Sequence, residues 1–161
     1  MSFDWMLFAL FMGTAMAAGS TGAFFSPGSW YDRLDKPGWT PPNWLFPLAW
    51  LVLYIAMAVA ATRVAVSGHP GVIYALAIWG LQIVFNTLWS PVFFGLHRLG
   101  PALVVLLGMW ASVLAMVVAF WRVDLTAGLL VAPYLVWTSY AFALNFVIWR
   151  RNPGASEMQA A

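Results

Sequence analysis

Aromatic rings, rather than ionisable groups, are the chemistry this sequence offers. Its 161 residues include eleven Trp, twelve Phe and five Tyr, against seven Lys or Arg, five Asp or Glu and two His. His69 and His97 fall in separate polar breaks, and the acids are scattered. No carboxylate pair, His–carboxylate cluster or metal-ligand spacing can be assembled from these positions. The lack of cysteine removes disulfides, thiolate ligands and thiol nucleophiles as well. A hydrolase or metalloenzyme is not expected, and no catalytic residue is assigned. What rings can do is stack. Trp50, Trp79, Trp89, Trp110 and Trp137 lie deep in apolar stretches, where an indole N–H needs a partner that lipid cannot supply. Some of these can face lipid or fill the core, but five such indoles in a small protein still suggest a flat-walled cavity for a planar, apolar, polycyclic guest. Trp5, Trp121 and Trp149 fall at the ends of apolar stretches, where an indole sits half in headgroups. Trp30, Trp39 and Trp44 crowd one polar segment.

Three amides accompany the rings. Gln82 and Asn86 are four apart and share one helical face, as do Trp137, Ala141 and Asn145 at successive four-residue steps. An amide in hydrocarbon must find a partner, so both faces should turn inward. Each amide is either a helix–helix bond, worth about 0.6 kcal/mol on average, or a group that orients the polar part of an apolar ligand.

The elements that must position these groups follow from composition. Hydrophobic residues make up 63% of the chain and charged residues 7%, where a soluble domain carries about 25% charged. A soluble chain this short cannot hide so much apolar surface in one core. The net charge of +2 reflects scarcity of charge and not a phosphate-neutralising patch, so nucleic acid is not an expected partner. The chain reads as an integral, multi-pass membrane protein in contact with lipid. Five blocks, 5–25, 46–66, 72–94, 101–121 and 125–149, each reach the roughly 20 residues of a membrane-crossing helix. Asp4 stands where a secretory signal would carry a base, so the first block is expected to stay in the protein.

Connections at 67–71, 95–100 and 122–124 are short, so successive helices should pack antiparallel, and Pro101 suits a first helical turn. The exception is 26–45, with Pro27, Pro37, Pro41 and Pro42 and with Pro47 just beyond. A connection this long in a compact protein is more often functional than idle, and it reads as a lid. The polar tail 151–161 is expected to fray. Arg33, Lys36, Arg98, Arg150 and Arg151 fall on one side of the bilayer, and Arg63 and Arg122 on the other. That imbalance predicts a cytoplasmic long loop and C-terminus, with the N-terminus opposite. No span carries a charge near its centre, which argues against ion channels, proton pumps and charge-coupled transporters. Gly13, Ala15, Ala17, Gly19 and Gly22 offer a close-packing seam in the first helix, more for internal packing than for a dimer. Ala75, Ala77 and Gly80 give a weaker pattern suited to a dimer contact. Pro91 and Pro133 are expected to kink the third and fifth helices.

Three stretches together resemble the tryptophan-rich sensory protein/translocator protein family (TspO/MBR), whose animal members are the peripheral benzodiazepine receptors. They are 30–44 (WYDRLDKPGWTPPNW), 82–95 (QIVFNTLWSPVFFG) and 133–146 (PYLVWTSYAFALNF), the last followed by Trp149 and Arg150. The resemblance covers essentially the whole chain, and the KPxWxPP loop is its most specific part. It implies an all-α bundle of five transmembrane helices, usually a homodimer, with a pocket under the first loop. Such proteins bind protoporphyrin IX and haem, and some bind cholesterol and synthetic isoquinoline or benzodiazepine ligands. Carried over by motif, the pocket would use Trp39, Trp50, Asn86, Trp89, Trp137, Ala141 and Leu144, with Tyr31 and Pro42 in the lid. Arg33 or Lys36 would meet porphyrin propionates, or simply anchor the loop at the interface. The family's sterol motif reads here as Leu144, Phe146 and Arg150, with Phe146 where a tyrosine is usual, so porphyrin is expected ahead of sterol. Some bacterial relatives degrade bound porphyrin in light through paired tryptophans that match Trp50 and Trp137. The resemblance thus implies a porphyrin-binding membrane receptor or sensor that needs no cofactor, with a porphyrin or lipid transporter and a light-dependent porphyrin-degrading enzyme as the alternatives.

Overall fold

The computed structural model describes residues 3–155. Five of its helices are long and apolar enough to cross a membrane. They are α1 (Trp5–Phe24), α3 (Leu45–Ala65), α4 (Val72–Ser90), α5 (Leu99–Val123) and α6 (Leu125–Arg151), with the short α2 (Ser29–Arg33) between the first two. Asp4 starts α1 by accepting hydrogen bonds from the Met6 and Leu7 amides at 3.0 Å, and Asp124 starts α6 through the Ala127 amide at 2.9 Å. Each carboxylate satisfies amides that have no partner within the helix and faces the positive end of its dipole. The three-residue turn expected at 122–124 shrinks to Asp124 alone, because α5 runs on to Val123.

The principal interfaces, α1–α3, α3–α6, α6–α5, α5–α4 and α4–α1, close the helices into a ring. This corrects one expectation. α3 and α4 follow each other across a short turn yet touch only sparingly, since they flank α1 on either side. They converge at the 66–71 turn and spread toward the opposite end. At the closed end the second half of α3 presents Ala58, Ala60, Ala61 and Val64, all fully buried, to Met116 and Phe120 of α5 and Val131 of α6. Small residues there allow backbones to approach closely, which is how helices associate when lipid tails compete for every apolar contact.

The expected kinks differ between the two prolines. Pro91 has no amide to continue the α-helical ladder, and the backbone rewinds into a π-helical turn over Pro91–Gly95, closed by the Leu96 amide on the Pro91 carbonyl at 2.8 Å. Pro133 sits inside α6, which continues without interruption. The small residues of α1 divide. Ala15, Ala18 and Gly19 face the bundle, and a Cβ on Gly19 would run into the Tyr54 ring, whereas Gly13 and Ala17 face outward. Ala75, part of the weaker dimer pattern, is buried inside the bundle and unavailable to a partner chain.

The long connection is more ordered than a proline-bearing loop requires. Trp30 and Tyr31 of α2 are buried, and their rings dock on Phe93, on Phe94 and on His97, which itself holds a left-handed backbone at φ 54. Lys36 folds back so that its ammonium donates to the carbonyls of Tyr31, Asp32 and Leu34, ending α2. That engagement anchors Lys36 within the lid. The start of the tail is also fixed, where fraying was expected. Asn152 accepts from the Asp35 amide at 2.9 Å and donates to the Asp35 carbonyl at 3.0 Å, while the Trp30 indole donates to the Ala155 carbonyl at 2.9 Å. Tail positions 156–161 lie outside the described residues.

Candidate functional site

At the end where α3 and α4 spread, the bundle holds a cavity of about 680 Å³, within the roughly 300–1,000 Å³ of small-molecule pockets. Its floor is the Tyr54–Asn86 level, its walls come from α1, α3, α4 and α6, and Tyr31 of α2 roofs it. Phe46, Trp50, Trp89, Phe93 and Phe94 supply flat walls. The π-helical turn matters here, because its wider winding places Phe93 in the core and turns Phe94 to the cavity, next to Trp89 with ring centroids 5.7 Å apart. No Lys, Arg, His, Asp or Glu lines the cavity among the described residues.

The floor is a directed chain of hydrogen bonds. The Tyr54 hydroxyl donates to Asn86 Oδ1 at 3.1 Å, Asn86 Nδ2 donates to the Tyr134 hydroxyl at 2.9 Å, and Tyr134 donates to Gln82 Oε1 at 3.1 Å. This ties α3, α4 and α6 together at mid-bundle, and each link polarises the next. Asn86 and Gln82 thus act as interhelical bonds, and the Asn86 carbonyl already holds a donor. Tyr54 and Tyr134 were not singled out in the sequence. Tyr54 falls one turn after Trp50, and Tyr134 directly follows Pro133, so only a count of the polar partners that two buried amides need would have pointed to them.

Asn145 differs from these. It is 2% exposed, lies in the cavity wall, and neither atom of its amide has a hydrogen-bond partner. The Trp89 indole N–H in the same wall is also unpaired. Tyr31 is held neutral: burial first, then the charge of Asp32 and the neighbouring Tyr140, push its phenol up.

Of the positions carried over by motif, Tyr31, Trp50, Asn86, Trp89, Ala141 and Leu144 line this one cavity. Trp39, Pro42 and Trp137 do not. They line a separate open groove on the outer side of α3 and α6, with Tyr140 donating to the Trp39 carbonyl at 2.7 Å. The five deep indoles divide between hollow, core and outer surface. Trp50 and Trp89 line it, Trp79 packs against Phe11 in the core, and Trp110 donates to Ser139 Oγ on the outer surface at 2.8 Å. Trp50 and Trp137 meet edge to face with centroids 6.4 Å apart, one turned to the cavity and the other to the groove. The three residues of the sterol motif are split by the helix. Leu144 points inward, while Phe146 and Arg150 are exposed on the outer face, with the guanidinium 5.9 Å from the Phe146 ring centroid. No group of His, Cys, Asp or Glu able to hold a metal ion occurs among the described residues.

Known proteins match the chain over nearly its whole length. The model of the TspO/MBR family matches residues 7–150. Protein CrtK of Rhodobacter capsulatus is 52% identical over 150 residues, covering 92% of this chain and 94% of the relative. The tryptophan-rich sensory protein of Cereibacter sphaeroides is 47% identical over 160 residues, covering 99% and 100%. The human translocator protein is 36% identical over 128 residues, covering 78% and 76%.

Proposed function

The chain belongs to the TspO/MBR family, and from that premise and its cavity we propose that it is a membrane receptor or sensor for flat, largely apolar ligands, porphyrins such as protoporphyrin IX and haem foremost. One observation carries the reading: a ring-walled hollow of about 680 Å³ without a charged side chain, roofed by a docked lid. Rigid indole and phenyl walls lose little conformational freedom on binding, and a preorganised lid reduces the cost of closure. A macrocycle that stacks on Trp50 and Trp89 leaves its charged substituents at the mouth, on the lid side. The basic-residue balance puts that mouth in the cytoplasm, and the receptor works as a homodimer whose contact uses outward-facing residues such as Gly13 and Ala17. Sterols and synthetic isoquinolines or benzodiazepines fit the same apolar hollow, although the outward Phe146 and Arg150 leave the sterol motif no single face.

Quenching of tryptophan fluorescence by protoporphyrin IX in detergent tests the reading. Wild-type protein should bind saturably, and Trp50→Ala should weaken binding about tenfold, equivalent to about 1.4 kcal/mol. Equal affinities of the two proteins would remove the cavity as the binding site.

A transport function is favoured by one further observation. Trp50 faces the cavity and Trp137 the lipid-side groove, and the two rings touch, so a swing of Trp137 would join the two hollows. Porphyrin flux in sealed liposomes, present in wild type and faster in Trp137→Ala, is the expected sign of it. Loss of porphyrin absorbance under light, absent from the Trp50→Phe Trp137→Phe double variant, would instead mark the degrading enzyme.

A further inference from the structure

We infer that Asn145 reads one specific feature of the ligand: a neutral donor and acceptor carried on one carbon, as in a lactam or an un-ionised carboxylic acid. The inference rests on the receptor reading and narrows its ligand class. Apart from the exposed Asn43, the cavity's other polar side chains are already engaged or offer only a hydroxyl or one N–H. Asn86 is held by Tyr54 and Tyr134, and the Ser20 and Thr21 hydroxyls donate to carbonyls of their own helix. Asn43 is exposed, where water serves its amide; among the described lining residues Asn145 is the one buried side chain whose carbonyl and NH2 are both free.

Its position on α6 makes the amide reachable from the cavity. Ala141, Leu144 and Ile148 also line the hollow, and spacings of three and four residues put all of them and Asn145 on one helical stripe. Ala141, one turn before the amide, is small and leaves open space on that stripe. An amide with no partner in an apolar surround costs free energy, which a complementary guest would return on binding. A primary amide pairs in two directions with a group whose donor and acceptor are bonded to the same carbon. A single-acceptor ester or ether satisfies half of it. An ionised carboxylate meets no cation here, because the lining carries none, and burial of an unpaired charge is strongly unfavourable. The unpaired Trp89 N–H can add one donor to the acceptor side of such a group.

Two matched probe pairs and one near-isosteric variant test this. The lactam pair is phenanthridin-6(5H)-one and its N-methyl derivative. The acid pair is protoporphyrin IX and its dimethyl ester. Within each pair methylation removes the donor and adds only methyl groups, and affinities are read by tryptophan quenching at pH 5 and pH 7. Wild type should favour the donor-bearing member of at least one pair about tenfold, equivalent to about 1.4 kcal/mol. The acid pair should do so only at the lower pH. Asn145→Leu, which keeps the volume and suits a membrane interior, should erase the preference while still binding the N-methyl and ester probes. A merely structural Asn145 would change all four affinities together. Preference in the lactam pair alone identifies lactams as the class, and preference in the acid pair alone identifies acids. The inference is overturned if wild type binds protoporphyrin IX yet discriminates in neither pair, or if Asn145→Leu keeps the preference, and in both cases the receptor reading stands. Failure of wild type to bind any probe removes both.

Discussion

The two ends of the bundle are built from the same five helices by opposite means. At the closed end, around the 66–71 turn, alanines of α3 let α5 and α6 approach until Met57, Met116 and Phe120 are fully buried. At the lid end the same α3 carries Phe46, Trp50 and Tyr54, rings too large to interdigitate, and they stand around a hollow. Residue volume along one helix therefore sets which end is solid. The solid end makes the hollow end affordable to the fold, because rings left without full packing forfeit dispersion contacts. The tyrosine–amide chain from Tyr54 to Gln82 marks the boundary between the two.

The sharpest way to break the comparison is to make a matched enlargement at each end. Ala61→Leu adds three carbons where no space exists and should destabilise the protein by about 1–3 kcal/mol, read as a lowered unfolding midpoint in mild detergent, with ligand affinity per folded molecule unchanged. Ala141→Thr adds a methyl and a hydroxyl beside the hollow. Its unfolding midpoint should stay near that of wild type while protoporphyrin IX affinity falls several-fold. If both variants lost stability alike, the two ends would be equally packed and the cavity would not be a real void in the protein.

The lid offers a smaller test, because it belongs to the hollow end only through its tethers. Asn152→Ala removes two hydrogen bonds to Asp35, each worth about 0.5–1.5 kcal/mol net. Amide hydrogen exchange in 29–36 should accelerate about tenfold, with no change at 57–64. Unchanged exchange in the lid would mean that the Trp30 and Tyr31 docking holds it unaided.

Much of this was legible in the sequence, and the misses have a common cause. Span positions followed from apolar length because a bilayer leaves the backbone few options. Orphan amides at 82, 86 and 145 could be recognised as inward-facing for the same reason. Which helices become neighbours was not legible, since a short turn fixes only that α3 and α4 meet at one end. Nor could the depth of a tryptophan in its span say which way it faces: Trp89 and Trp110 look alike in sequence, yet one lines the cavity and the other faces out to Ser139. The π-helical turn at Pro91 rotated Phe93 and Phe94 into the site, and the amino acid order around a proline does not announce which relief the backbone will choose. The fixed start of the tail escaped because its partners, Trp30 and Asp35, lie more than 110 residues away along the chain.

The smallest expected effect belongs to the closed end and acts through protons. Arg63 and Asp124 pair there at 2.9 Å, clipping the end of α3 to the start of α6. Partial burial tends to raise the Asp124 carboxyl, but the Ala127 amide, the Arg63 hydrogen bond and charge, and the Thr126 amide together outweigh it and hold the group below its ordinary value of 3.8. A carboxyl whose acidity is strengthened by folding contributes stability that is complete above the unfolded value and is lost as pH falls through the folded one. Acidification should therefore leave the closed end unaffected down to about pH 4 and weaken it only below that. The change should stay under about 1 kcal/mol, because Arg63 is partly exposed and solvent screens the pair. Asp124→Asn keeps an N-cap and removes the titration, so its unfolding midpoint should lose this acid step. An acid step that persisted in the variant would place the titrating group elsewhere in the molecule and would remove the Arg63–Asp124 pair as its source.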